Sequence, residues 1–244
     1  MSNAGYVGLS LQMALRQQMD VVANNVANLS TTGYKGEKLV FLEQLSKVNT
    51  YHAGASSQRL SEVADAGTYR DTSQGSFVQT GNPLDVALQG DGYLVVQAAD
   101  GPRYTRAGGM QLNAERQLCD HNGYPIQGDG GPITIPVSDA DIKITPTGGV
   151  VTESGLQGNL KLVRFANEQD LKAAAGGTYT TTDQALPSAD TIVTQGGLEG
   201  SNVQPIVEMT RMIDLQRAYE NVQNLLNSEN DREKNAITTL ANMS

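Results

Sequence analysis

Apolar residues recur near the start of the chain at helical intervals, with Leu11, Leu15, Met19, Val22, Val26 and Leu29 following one another at spacings of four, four, three, four and three. That spacing stacks them on one stripe of an α-helix, with Arg16, Gln17, Gln18 and Asp20 on the other side. The helix is expected to stop at "STTGYKGE", where β-branched residues and glycines crowd together. Asn24, Asn25 and Asn28 interrupt the pattern, because asparagine amides compete for backbone groups and make poor helix formers. Two readings of them stand side by side: they set register by hydrogen bonding at a tightly packed helical interface, or they fray the helix end.

At the other end of the chain, Pro205 suits a first helical position, which needs no N–H. Met212, Leu215, Tyr219, Val222 and Leu226 then recur at three, four, three and four, the seam of a coiled coil. The register breaks across "NSENDREK", and Ile237 and Leu240 resume an apolar side. A helix running from Pro205 to Leu240 would be roughly 54 Å long. With a single apolar stripe it needs a partner along its length. The N-terminal helix is the expected partner, and being shorter it would leave part of the longer helix to meet other chains.

Between the helices the chain changes character. All 26 glycines lie between Gly5 and Gly200, and seven of the eight prolines between Pro83 and Pro187. Residues 34–68 show no sustained period and read as an extended linker. From Tyr69 onward short β-prone runs alternate with turn signals, the clearest being Asp100-Gly101 inside "YLVVQAADGPRYTRAG". Ile142 and Ile144 alternate with polar neighbours, as do Leu160 and Leu162 before Phe165. The expected fold is therefore α+β: long N- and C-terminal helices pairing as a coiled coil, and a central, mostly antiparallel β-rich domain. Its domains would be a discontinuous helical part (1–32 and 201–244), a linker (33–68) and the β-rich part (69–200). Aromatic residues make up only 5% and tryptophan is absent, which predicts an aliphatic core.

Charge and chemistry narrow the function by exclusion. A net charge of −9 with no basic cluster argues against nucleic acid as a partner, and no apolar run is long enough for membrane insertion. The N-terminus lacks the basic start and clean apolar core of a cleavable secretory signal. Cys119, the single cysteine, reads as a buried small apolar residue. His52 and His121 have no ligand at metal-binding spacing, and the carboxylates are dispersed. No catalytic, metal or cofactor site can be nominated, and the chain reads as a protein that is not an enzyme.

"ANNVANLSTTGYKGE" near the start and "LEGSNVQPIVEMTRMIDLQRAYE" near the end resemble the paired terminal signatures of the bacterial flagellar rod and hook proteins, a family of axial subunits. "GNPLDVALQGDGYLVVQAADGPRYTRAGGMQL", "GYPIQGDGGPITIPV" and "GNLKLVRF" are similar to its proximal-rod members in particular. The resemblance implies a structural subunit of the periplasmic rod of the basal body. Its terminal helices would form an inner polymerisation domain and its β module an outer layer, transmitting torque from motor to hook. The partners implied are copies of itself, other rod subunits and the flagellar type III export apparatus. Asn24, Asn25 and Asn28 fall in the N-terminal signature, while Ser201, Asn202, Val203 and Pro205 begin the C-terminal one. Gln204 is a mediocre cap before that helix. Phe41 and Leu45 of "FLEQL" match the family's export pattern, against the alternative of linker hydrophobes packing on the β module. Leu11, Leu15, Met19, Val22 and Val26, with Met212, Leu215, Tyr219, Val222 and Leu226, are the expected packing seam. Two other readings stand beside this one: a distal-rod or hook subunit of the same family, and a β-domain binding module dimerised by its terminal helices.

Overall fold

The structure, a computed structural model, describes residues 3–47 and 59–241, and it describes no side chains within 41–66. It divides into two compact units. One comprises Met1–Ala27, Glu37–Tyr69 and Gln204–Ser244; the other comprises Asn28–Gly36 and Arg70–Val203.

The first unit holds helix α1 (Asn3–Ala27), strands β1 (Glu37–Lys47) and β2 (Arg59–Arg70, whose last residue belongs to the other unit), and helix α2 (Pro205–Ala241). The segment expected to be an extended linker is therefore corrected: β1 and β2 pair as a two-stranded sheet. Periodicity missed them because the run "EKLVFLEQLSK" does not alternate cleanly. Helices α1 and α2 pack against each other and run antiparallel, since the amide of Gln12 donates to that of Gln223 while Asn25 reaches Glu208. Gly8 lies against Leu226, where a side chain on residue 8 would collide with it.

The second unit is β-rich, and every strand pairing within it is antiparallel. Along the chain come β3 (Phe77–Gln79), β4 (Val86–Gln89), β5 (Tyr93–Ala98) and β6 (Gly101–Thr105). A six-stranded sheet is ordered Lys172–Ala174, Thr178–Thr180, β6, β5, Leu162–Arg164 and Leu186–Pro187. Strand β5 sits inside it and is apolar at consecutive positions, because each of its faces meets a core. Leu94 and Val96 face an aliphatic cluster with Val86, Leu88, Leu118, Ile126, Ile135 and Val150. Tyr93 and Val95 face a second cluster with Tyr104, Phe165 and Tyr179. That second core corrects the expectation of an aliphatic interior: few aromatics were needed, because these four gather in one place. Tyr104 and Phe165 pack edge to face with ring centroids 4.7 Å apart. The expected hairpin is present with its turn one residue earlier, Ala98 pairing with Gly101. Cys119 is buried, and burial pushes its thiol pKa up.

Candidate functional site

Within the first unit, α2 shows a row of reduced exposure at Met212, Leu215, Tyr219, Val222 and Leu226, the spacing found in the sequence. Val222 is the most buried of these apolar residues, and Glu208 and Glu229 extend the row at both ends. On α1 the buried row differs from the expected one. It follows Gly8, Leu15, Val22 and Asn25, while Met19 and Val26 are half-buried and Leu11 is 39% exposed. Apolar counting could not include a glycine or an asparagine, so it assigned Leu11 to the seam in place of Gly8.

Asn25 is 2% exposed and fully engaged. Its Oδ1 accepts the Glu37 N–H at 2.9 Å and its Nδ2 donates to the Glu37 carbonyl at 2.8 Å, with a longer contact to Glu208 Oε2 at 3.4 Å. The amide thus acts as a one-residue strand partner for the start of β1. Glu208 in turn accepts from Arg211 at 2.7 Å. Asn24 is exposed. Asn28 lies in the turn after α1, where its Oδ1 accepts from the Thr31 hydroxyl and its carbonyl accepts from the Thr31 N–H. Asn25 is thus sealed inside the first unit, whereas Asn28 shapes the turn with which the second unit begins.

What the helix pair leaves outside is also apolar. Tyr6, Leu9 and Met13 on α1 are exposed, Met13 by 63%, and Ile206, Met209 and Ile213 on α2 likewise, Ile206 by 81%. Each trio is spaced three and four, so each forms one row along its helix. Because the helices are antiparallel with residue 8 beside residue 226, the α1 row and the α2 row lie at opposite ends of the pair. At 1.5 Å per residue they stand roughly 24 Å apart along the axis.

The second unit holds a buried ionic triad that no local sequence signal marks. Lys35 Nζ donates to Glu199 Oε1 at 2.6 Å and Arg106 Nε to Glu199 Oε2 at 3.0 Å, all three side chains being almost wholly enclosed. Glu199 also accepts the Gly75 N–H at 2.9 Å, Lys35 donates to the Ser73 carbonyl at 2.7 Å, and Arg106 donates to the Gly90 carbonyl at 2.6 Å. Burial pushes the Glu199 carboxyl up, but Arg106 and Lys35 together outweigh it and hold its pKa below the usual value. Lys35 moves down as well, through burial and the neighbouring Arg106, since two cations share one carboxylate. Lys35, Arg106 and Glu199 stand far apart in sequence, so only the fold reveals them. The triad ties the segment after α1 to the strand Gly197–Glu199 that precedes α2.

No group of three or more His, Cys, Asp or Glu suited to a metal occurs among the described residues. His52 lies outside them. Phe41 and Leu45 fall in β1, but their side chains are not among those described. Among the described residues no helix is long and apolar enough to cross a membrane.

Three segments match known families. Residues 6–35 match the family described as flagella basal body rod protein, residues 87–152 the flagellar hook protein FlgE/F/G D1 domain, and residues 194–239 the flagellar basal body rod FlgEFG protein C-terminal. The chain is 37% identical to the flagellar basal-body rod protein FlgF of Caulobacter vibrioides over 98% of both chains. It is 32% identical to FlgF of Salmonella typhimurium over 99% of both. Similarity to the rod protein FlgG of Agrobacterium fabrum is 35% over 85% of this chain and 87% of that one.

Proposed function

The chain belongs to the family of FlgF-type flagellar basal-body rod proteins, and on that premise we propose that it polymerises through the outward rows of its terminal helices and transmits torque as part of the rod. Members of this family are structural proteins of the basal body, not enzymes, and assemble with other rod and hook components.

The observation that carries the polymerisation reading is the pair of separated apolar rows. A closed dimer needs one self-complementary patch, whereas a growing shaft needs two different faces, one for each neighbour. The Tyr6–Leu9–Met13 row and the Ile206–Met209–Ile213 row, at opposite ends of the helix pair, supply two. The inward row of Met212, Leu215, Tyr219, Val222 and Leu226 with Leu15 and Val22 is then the intramolecular seam, packed as a coiled coil, and the outward rows are the contacts between subunits. Asn25 serves the fold of one subunit in this reading. The export route through the type III apparatus, with Phe41 and Leu45 in its recognition segment, and placement of the rod in the periplasm belong to the same proposal. A proximal place along the rod is favoured over a distal one because the FlgF relatives cover the whole chain and the FlgG relatives less of it. Locating the protein along isolated basal bodies distinguishes the two.

The test is the double substitution Met13→Asp with Ile213→Asp. Both side chains are exposed, so the purified chain should keep its thermal stability to within about 0.5 kcal/mol for each change, while rods fail to assemble and cells stop swimming. Val22→Asp is the contrasting variant: Val22 is 3% exposed, so a charge there disrupts the subunit itself. Normal motility of the Met13, Ile213 double variant would remove the outward rows from the interface.

A further inference from the structure

The chain passes between its two units after residues 27, 36, 69 and 203. We propose that three carboxamides, Asn25, Asn202 and Gln169, act as anchors that fasten the backbone on both sides of the passage at 36/37 and on the second unit's side of the passage at 69/70. They would hand tension in those strands to the packed interior of each unit. This mechanical meaning rests on the rod reading above; the anchoring itself does not.

At both passages a carboxamide meets the N–H and carbonyl of one backbone residue, Glu37 on the first unit's side and Arg70 on the second's. Beside the passage at 36/37, the Asn25 amide engages both the N–H and the carbonyl of Glu37, inside the first unit. Inside the second unit, Asn202 Oδ1 accepts the Gly36 N–H at 2.8 Å. Beside the passage at 69/70, Gln169 Oε1 accepts the Arg70 N–H at 2.8 Å and its Nε2 donates to the Arg70 carbonyl at 2.9 Å. Asn202 Nδ2 then donates to the carbonyls of Asp71 at 2.8 Å and Ser73 at 3.0 Å. The backbones close the circuit, with Asp71 N–H bonding the Gly36 carbonyl at 2.8 Å and Asn202 N–H bonding the Tyr34 carbonyl at 3.3 Å.

The residue type follows from the chemistry. A strand residue leaving a sheet presents one donor and one acceptor, and both need partners when they are shielded from water. A carboxamide carries one acceptor oxygen and one donor nitrogen on a single planar group, so it substitutes for a missing neighbouring strand. A carboxylate offers acceptors only, and lysine or arginine donors only. Glu37 and Arg70 are each embraced in this two-point manner by a side chain distant in sequence. Asn202 spans Gly36, Asp71 and Ser73 and so joins the two middle passages on the second unit's side. Arg70 is held further by its guanidinium, which donates to the Leu171 carbonyl at 3.0 Å and lies 4.7 Å from the Tyr179 ring centroid.

Residue-resolved hydrogen exchange on the full chain tests the anchors, with Gln169→Leu and Gln169→Glu compared with the parent. Leucine removes the acceptor, so exchange of the Arg70 amide should rise roughly tenfold or more. Glutamate keeps an acceptor, so the Arg70 amide should stay close to the parent rate. Amides of β5 should not change in either variant. An unchanged Arg70 amide in Gln169→Leu, or an equal rise in Arg70 and β5, would overturn the anchoring. In cells, Gln169→Leu should build rods and swim normally in dilute medium, losing speed disproportionately as viscosity rises. Equal speed at every viscosity would overturn the tension role alone, and loss of rods from a folded monomer would replace the anchor with a contact made at assembly. Both failures differ from failure of the rod reading, which the outward-row variant addresses.

Discussion

Replacing Glu199 with glutamine tests whether the buried triad holds the second unit together. In the parent, one carboxylate meets Lys35 Nζ at 2.6 Å, Arg106 Nε at 3.0 Å and the Gly75 N–H at 2.9 Å. Glutamine keeps the shape but takes from two enclosed cations the carboxylate they share, leaving only the Glu168 charge nearby, and turns an NH2 toward one of them. Removing one partner of a buried ion pair costs about 3–5 kcal/mol, because the remaining charge stays in a low dielectric. Domains of this size are stable by about 5–15 kcal/mol, and each kcal/mol moves the midpoint by about 2–4 °C, so the second unit should melt roughly 6–20 °C lower. Lys35→Met is the informative companion, since it leaves Arg106 paired with Glu199 and removes only one of the two donors to the Ser73 carbonyl, which Asn202 Nδ2 still reaches at 3.0 Å. It should cost less, about 1–3 kcal/mol. Calorimetry of the purified chain, with near-ultraviolet circular dichroism reporting on Tyr93 above Arg106, measures both. If Glu199→Gln costs less than Lys35→Met, or less than about 1 kcal/mol, a shared counter-charge is not what stabilises this region.

Acid should weaken the same unit in a definite window. Hydrogen bonds from Thr152, Ser138 and Ser154 bring the Asp139 carboxyl down to about 2, and Glu199 also lies below its usual value. A carboxyl depressed in the folded state adds stability that is complete above its unfolded pKa and is lost as pH falls through the folded one. The denaturation midpoint should therefore be flat near neutrality and fall between about pH 4 and pH 2, with Asp139→Asn flattening the fall; a parent whose midpoint is level across that window would contradict the assignment. At Gly75 the limit is space: an added Cβ would sit 1.9 Å from the Gly200 carbonyl oxygen. Gly75→Ala should cost about 1–3 kcal/mol or more in denaturant titration, whereas Gly130→Ala, with open space around it, should change little; equal costs would show that the close approach relaxes freely.

How much of this was legible in the sequence depended on whether the signal was local. The α2 row was readable because five side chains repeat at three and four within one helix, and the β5–β6 hairpin because turn chemistry and β-prone runs are neighbours. The α1 row was half readable: Leu15 and Val22 stood out, but Gly8 and Asn25 contribute through space and hydrogen bonding, which hydropathy does not score. The terminal signatures pointed to the family without saying what their residues do. Lys35 and Asn202 are unremarkable polar residues until the fold brings Lys35 to Glu199 and Asn202 to Gly36. The paired strands β1 and β2 were missed because their apolar residues do not alternate cleanly along either run.

An axial subunit faces two opposed requirements: a chain made of long amphipathic helices must not associate prematurely, yet it must bind firmly once in place. In the assembly proposed above, the division between inward and outward rows answers both. Burying the inward row inside the subunit removes the most adhesive surface before assembly. The outward rows carry three large apolar side chains each, at half to four-fifths exposure for most of them. At about 1.5–3 kcal/mol for complete burial of such a side chain, and with these side chains already partly covered, a contact joining two rows yields roughly 5–10 kcal/mol. Association costs about 4–15 kcal/mol in lost freedom, so one such contact alone is marginal. A subunit docking at the tip of a growing shaft meets several neighbours while its translational freedom is lost only once, and the balance then turns strongly favourable. Growth should occur at the tip and not in solution, and this is why a charge at Met13 and Ile213 is expected to abolish rods while leaving the free subunit unaffected.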